Sequence, residues 1–321
     1  MKKFQIGYIS SLAATPLLVC KHLGWFQQRG WQLGLTRQVG WRSLANRLFY
    51  GELDGGIMHP SMLIAMAAGR RSEQLNCRGC FGMSYGGMAL VGRSSTQSFA
   101  EQCRRKGELR FGTFSPDFPD SCVIEHWMRD NGLSIQEVKL VTVPIPVTQS
   151  ISLIKEGFVD AYLSYQPWIQ IARKHGIGEA LTRVSDEGTQ AGATRILAIK
   201  NDFLRTNDGF YAEISGLLNR AAEWIADPDN GETLLEILRP ESWELDDEQL
   251  LGLFHPVGVG GEDGVRCRFQ RPEGDGPALT IEDVEAFWRF FCASTQNKSS
   301  GDAHSLPNWA ADLFRVQTCR V

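Results

Sequence analysis

The chain has 321 residues, enough for two domains with substantial cores, and carries a formal charge of −4. That balance leaves no overall basic footprint for direct nucleic-acid binding, and no apolar run approaches the roughly 20 residues that a membrane-spanning helix needs. Eight cysteines (Cys20, Cys77, Cys80, Cys103, Cys122, Cys267, Cys292 and Cys319) are scattered rather than arrayed as a disulfide framework, which fits a reducing compartment.

The N-terminal half reads as two copies of one strand-helix-strand-helix-strand unit. In the first, residues 4–10, 31–39 and 56–58 are strands and residues 15–28 and 42–50 are helices; Met1-Lys2-Lys3 is followed at once by strand residues, so no export signal is expected. In the second, residues 109–114, 139–143 and 161–165 are strands, with helices over 120–130 and 148–156. Each copy ends a helix at glycine and continues into an apolar segment bearing aspartate: Gly51-Glu52-Leu53-Asp54-Gly55-Gly56 and Gly157-Phe158-Val159-Asp160-Ala161-Tyr162. Alternating short strands and helices predict an α/β fold of two lobes, each a mostly parallel sheet flanked by helices. Ligands on such sheets lie beyond the carboxyl ends of the strands, so a cleft between the lobes is the expected site.

Residues 80–93 read as a strand leading to a crossover, and residues 194–199 as the returning strand. The first lobe is therefore expected to be discontinuous, over 1–92 and 193–321, with the second at 93–192. Helices are expected over 210–227, 232–238, 245–254 and 280–293, the last opened by a capping-box-like Thr280 and Asp283. Residues 258–276 read as a surface loop and 297–304 as a frayed polar stretch. The Cys77-Arg78-Gly79-Cys80 spacing suits a redox pair or half a zinc site, but no second ligand pair completes a tetrahedron.

Signatures of catalysis are missing. The six histidines lack zinc-protease spacing, there is no Gly-x-Ser-x-Gly elbow, and no Gly-x-Gly-x-x-Gly follows a strand. Residues 258–276 contain no Gly-Lys-Ser/Thr ending for a phosphate loop, and no cofactor or metal is expected. The strand ends instead carry small, polar or aromatic residues: Ser10 and Ser11, Gly40 and Trp41, His59 and Pro60, Ser115, Pro144, and Gln166-Pro167-Trp168. Helices starting there would turn free backbone N–H groups into the cleft and favour an anion, with Trp41 as a wall and Arg195 as the cation.

The segment from Gly40-Trp41-Arg42-Ser43-Leu44 through Gly51-Glu52-Leu53-Asp54-Gly55-Gly56 resembles the nitrate/bicarbonate solute-binding proteins of ABC importers. Residues 58–69 and the stretch from Ile145-Pro146-Val147-Thr148 to Gln166-Pro167-Trp168 are similar to further blocks of that family, and the likeness runs over residues 4–255. It implies the two-lobed type II periplasmic-binding fold. It also implies that Trp41 lies beside the bound anion and that Arg195 stands where nitrate binders have lysine. Met88 stands where the family has glutamine, and Asp120 or Ser121 near an expected histidine. Relatives without export signals include cytoplasmic nitrate/nitrite sensors that release an RNA-binding antiterminator; others are enzymes of menaquinone or thiamine-pyrimidine synthesis, whose His and Cys clusters are not evident here. The reading is a non-enzymatic, cytoplasmic sensor of a nitrate- or nitrite-like oxyanion acting through cleft closure. One alternative is the substrate-binding subunit of a nitrate/sulfonate-type ABC importer, with an ABC permease as partner and a periplasmic location if a leader precedes this sequence. Another is a small-metabolite enzyme on the same fold.

Overall fold

A computed structural model describes residues 1–67, 76–93, 96–114, 120–183, 192–255, 267–269, 278–294 and 306–314. In chain order the first part comprises β1 (Lys2–Ile9), α1 (Thr15–His22), α2 (Trp25–Gln28), β2 (Trp31–Gln38), α3 (Trp41–Phe49), β3 (Gly55–Met58), α4 (Pro60–Ala67) and β4 (Cys77–Gly86). The next comprises β5 (Met88–Gly92), α5 (Thr96–Lys106), β6 (Glu108–Thr113), α6 (Asp120–Asp130), β7 (Lys139–Pro144), α7 (Val147–Lys155), β8 (Ala161–Tyr165), α8 (Trp168–Lys174) and β9 (Glu179–Arg183). The remainder comprises β10 (Ala193–Lys200), α9 (Asn201–Thr206), α10 (Phe210–Ala226), α11 (Gly231–Leu238), α12 (Asp247–Leu251), β11 (Cys267–Arg268), α13 (Ile281–Ser294) and α14 (Asn308–Ala311).

Two sheets result, six strands in the order β11-β4-β10-β3-β1-β2 and five in the order β7-β6-β8-β5-β9. Parallel pairing is confined to the repeat strands, β2-β1-β3 in one sheet and β7-β6-β8 in the other; the strands beyond them pair antiparallel. The expectation of mostly parallel sheets therefore holds within each repeat and not where the chain changes lobe. The predicted strand over 80–93 is two strands in different sheets, because Gly86 and Gly87 take φ of +68° and +74°, a left-handed turn that side chains resist. The first sheet thus ends at Gly86, and residues 88–92, expected in the first lobe, are hydrogen-bonded in the second sheet. The helix expected over 15–28 is likewise broken, at Gly24 with φ +68°.

The repeated aspartate acquires a physical reason. Asp54 donates its backbone N–H to the Gln5 carbonyl (2.8 Å) and accepts the Gln5 N–H on Oδ2 (2.7 Å). Asp160 brackets Arg110 in the same way, at 2.8 and 2.9 Å. Each aspartate clamps the first strand of its own repeat where the parallel ladder to the third strand is short. Phe4, Ile6 and Tyr8 alternate along β1 into a cluster shared with α10, where Phe210 meets Phe4 and Trp31 edge-on at 4.6 Å each. A second cluster runs from Trp41 and Met58 through Tyr85 and Met88 to Phe111 and Tyr165, joining the two lobes beneath the crossing.

At α13 the expected capping box forms: Asp283 Oδ2 accepts the Thr280 N–H at 2.9 Å, and Thr280 Oγ1 accepts the Asp283 N–H at 3.5 Å. The helix expected over 245–254 is shorter, with Asp246 and Gln249 forming its capping box. Of residues 258–276 only Cys267, Arg268 and Phe269 are described; the stretch 297–304 lies outside the described residues. No described helix is long and apolar enough to cross a membrane.

Candidate functional site

The carboxyl ends of the parallel strands converge on a cavity of 640 Å³ between the lobes. From the first lobe it is lined by Ile9 and Ser10 after β1, Arg37 and Gln38 at the end of β2, and Val39 to Arg42 entering α3. The second lobe contributes Phe114 after β6, Pro144 to Gln149 entering α7, Tyr165 and Trp168; Glu241 and Ser242 close one side.

Two nine-residue helices begin at this cavity, one from each lobe: α3, with Gly40 at its N-cap, and α7, with Pro146. Neither carries a side-chain cap, and in α7 the Gln149 N–H turns back to the Pro146 carbonyl at 2.9 Å. Tyr165 also lines the cavity, while its hydroxyl is buried and makes no hydrogen bond among the described residues. Burial pushes its pKa up from the ordinary range, and the nearby Arg195 offsets only part of that.

Ser10, Trp41 and Trp168, three of the residues expected at the site, do line the cavity. Trp168 donates its indole N–H to the Ser10 carbonyl, and Trp243 donates to Ser10 Oγ, both at 2.9 Å. Ser11, Met88, Gln166 and Arg195 line instead a second, small space of 10 Å³ at the crossing, room for about one water. The Arg195 guanidinium, expected beside the ligand, is 2 % exposed and packed behind the aromatic wall: its carbon lies 4.6 Å from the Tyr165 ring centre and 5.3 Å from that of Trp41. Arg195 Nη1 donates to the Thr194 carbonyl (2.7 Å) and to Met88 Sδ (3.2 Å), so Met88 serves the arginine rather than the cavity.

His59 lines neither space. It is fully buried, with Nδ1 accepting the Ser61 N–H at 3.2 Å and lying 2.6 Å from Ser61 Oγ, an arrangement that fastens the start of α4. Asp120 and Ser121 open α6, and their side chains lie outside the described residues.

Sequence reasoning missed Arg37, Phe114, Tyr165 and Glu241. The first three are at or just beyond strand ends, where the rule that found Ser10 and Trp41 applies equally. Glu241 has no local signal, since it comes from the helical C-terminal region. Tyr8 donates to its Oε1 at 2.6 Å, and Arg37 Nη1 donates to its carbonyl at 3.1 Å and lies 3.6 Å from its Oε2. Cys77 and Cys80 are both buried on β4, and no group of three or more potential metal ligands occurs among the described residues.

The profile of the NMT1-like family matches residues 1–239. The chain belongs to the NMT1-like family. It is 24 % identical to the bicarbonate transport ATP-binding protein CmpC of Synechocystis sp. over 99 % of its own length and 48 % of that protein. It thus spans about half the length of the curated relatives that it matches. Among solved structures it is similar to the periplasmic nitrate-binding protein NrtA from Synechocystis PCC 6803, with a TM-score of 0.78 and 14 % identity over 98 % of this chain and 86 % of that one. The alkanesulfonate-binding protein SsuA from Xanthomonas axonopodis pv. citri, bound to MOPS, gives a TM-score of 0.68 and 16 % identity over 99 % of both chains. This NMT1-like chain therefore has the type II periplasmic-binding fold expected from its repeats and from its resemblance to the nitrate/bicarbonate binders.

Proposed function

We propose that this NMT1-like chain is a non-enzymatic receptor for a small anion, working as the solute-binding or sensing module of an ABC import system. The observation that carries this reading is the pair of uncapped helix starts, one from each lobe, opening on one cavity. Each helix end stabilises an anion by about 0.3–1 kcal/mol, or up to about 2 when partly buried, whereas a micromolar ligand requires roughly 8 kcal/mol. The remainder falls to Arg37, Arg42 and contact with the aromatic wall.

The likeness to half of CmpC supports an import system as the setting, with a permease and an ATPase as partners. Because the chain contains no Gly-Lys-Ser/Thr, the shared half is not a nucleotide-binding one. A second reading, a cytoplasmic sensor that passes the ligand signal to a protein such as an RNA-binding antiterminator, is favoured by Cys20, Cys77 and Cys103 being buried free thiols.

Any ligand that binds only the folded state raises the melting temperature. The purified chain should therefore melt higher with at least one anion among nitrate, nitrite, bicarbonate, taurine and organic sulfonates. No shift from any anion at millimolar concentration would overturn the receptor reading. Recovery of the native protein from the periplasm would exclude the cytoplasmic sensor and leave the importer role.

A further inference from the structure

We infer that the cavity takes an organic anion, a sulfonate or carboxylate on a hydrocarbon frame, rather than a bare inorganic oxyanion. The inference rests on the receptor reading and concerns what the walls select.

Size is the first argument. Nitrate has four heavy atoms and occupies on the order of two to three water volumes, about 60–90 Å³ at about 30 Å³ per water. The cavity holds 640 Å³, within the range of sites that enclose drug-sized molecules. Closing the lobes would shrink that volume, but it would not change what the walls are made of.

Wall chemistry is the second. The entry to α7 reads Pro144-Ile145-Pro146-Val147, and its two prolines have no N–H to offer an ion. Phe114 stands beside it, its ring centre 5.3 Å from that of Tyr165. Across the cavity Val39 is 86 % exposed, an apolar side chain at the mouth that a hydrocarbon would cover and that a hydrated ion would leave in water.

The two walls also differ in polarity, which orients the ligand. Arg37, Gln38 and Arg42 surround the start of α3, so the anionic head is drawn to the first lobe's side of the cleft, with the start of α7 facing it from the second. Arg195 lies behind Trp41 and Tyr165 and presents the cavity with their rings. The hydrocarbon then lies against Phe114, Tyr165 and the prolines of the second lobe.

Titration calorimetry of the full chain with benzenesulfonate, hexanesulfonate, benzoate, nitrate and bicarbonate tests this. The expected result is binding of at least one of the organic probes at least tenfold tighter than nitrate or bicarbonate. Phe114→Ala, checked for folding by its melting curve, should weaken that organic probe at least tenfold and nitrate less than twofold, with Phe114→Leu restoring most of the loss. Nitrate or bicarbonate binding as tightly as every organic probe would overturn the inference and leave the receptor reading standing. Equal losses for both classes in Phe114→Ala would also overturn it. Silence from all five would remove the receptor reading and this inference with it.

Discussion

Trp168, at the start of α8 in the second lobe, donates its indole N–H to the carbonyl of Ser10 at the end of β1 in the first, 2.9 Å away. Trp243 holds the Ser10 hydroxyl at the same distance, so one serine is gripped from two directions at the edge of the cavity. A net hydrogen bond is worth about 0.5–1.5 kcal/mol. Trp168→Phe should keep the ring and lose the bond, lowering the melting temperature by roughly 1–4 °C for a chain of this size. Scanning calorimetry reads this directly, and an unchanged midpoint would mean that the bond contributes nothing net.

The paired aspartates predict paired losses. Asp54→Ala and Asp160→Ala each orphan a strand N–H, which costs about 1–3 kcal/mol where water cannot replace the carboxylate. Lys106 also bonds Asp160 Oδ2, at 2.7 Å, but that lysine is largely exposed and contributes little. Urea unfolding should place the two variants within about 1 kcal/mol of each other. A neutral Asp160→Ala beside a damaging Asp54→Ala would sink the equivalence.

Arg195→Lys should behave as a core lesion. Lysine keeps the charge but not the planar group that lies over both Tyr165 and Trp41, so destabilisation of about 2 kcal/mol or more is expected. Ligand affinity should fall with it, because both rings belong to the cavity wall. Denaturant titration and calorimetry on one preparation separate the outcomes: lost binding at full stability would place the guanidinium in contact with the ligand.

The buried thiols give a pH dependence with a definite sign. Burial pushes Cys20 and Cys77 up to about 12 and Cys103 up to about 11. An unfolded thiol titrates near 8.5. Between these values the unfolded chain loses protons that the native chain retains, so stability falls as pH rises from about 9 towards 11. Melting temperatures taken across pH 8–10.5 should decline, and Cys103→Ala should flatten the slope. In the native state at pH 8 these three thiols should react with an aromatic disulfide reagent at least a hundredfold slower than in denaturant.

The repeats were legible because their cues are local. Helix-ending Gly51 and Gly157 do take positive φ, +76° and +82°, and the aspartates that follow act within their own repeats. Strand ends led for the same reason to Ser10, Trp41 and Trp168, which line the cavity. A crossing was expected near residues 80–93, but its position was not legible, since the stretch is continuously strand-forming and only the backbone at Gly86 and Gly87 reveals two sheets. Arg195 was found as a cation on the returning strand, but a strand pattern does not say which rings will enclose a side chain. Glu241 reaches Tyr8 across 233 positions of sequence, a separation that no periodicity or motif bridges.

That crossing has a consequence for how such a chain diverges. Between β4 in one sheet and β5 in the other stands only Gly87, preceded by a second left-handed glycine. The angle between the lobes is therefore written on this side in backbone torsions, at positions that bear no side chain, while the choice of ligand is written in Val39, Phe114 and the prolines entering α7. Selection can rewrite the second without touching the first. One scaffold can thus be inherited with its geometry intact while its cargo changes, one wall residue at a time.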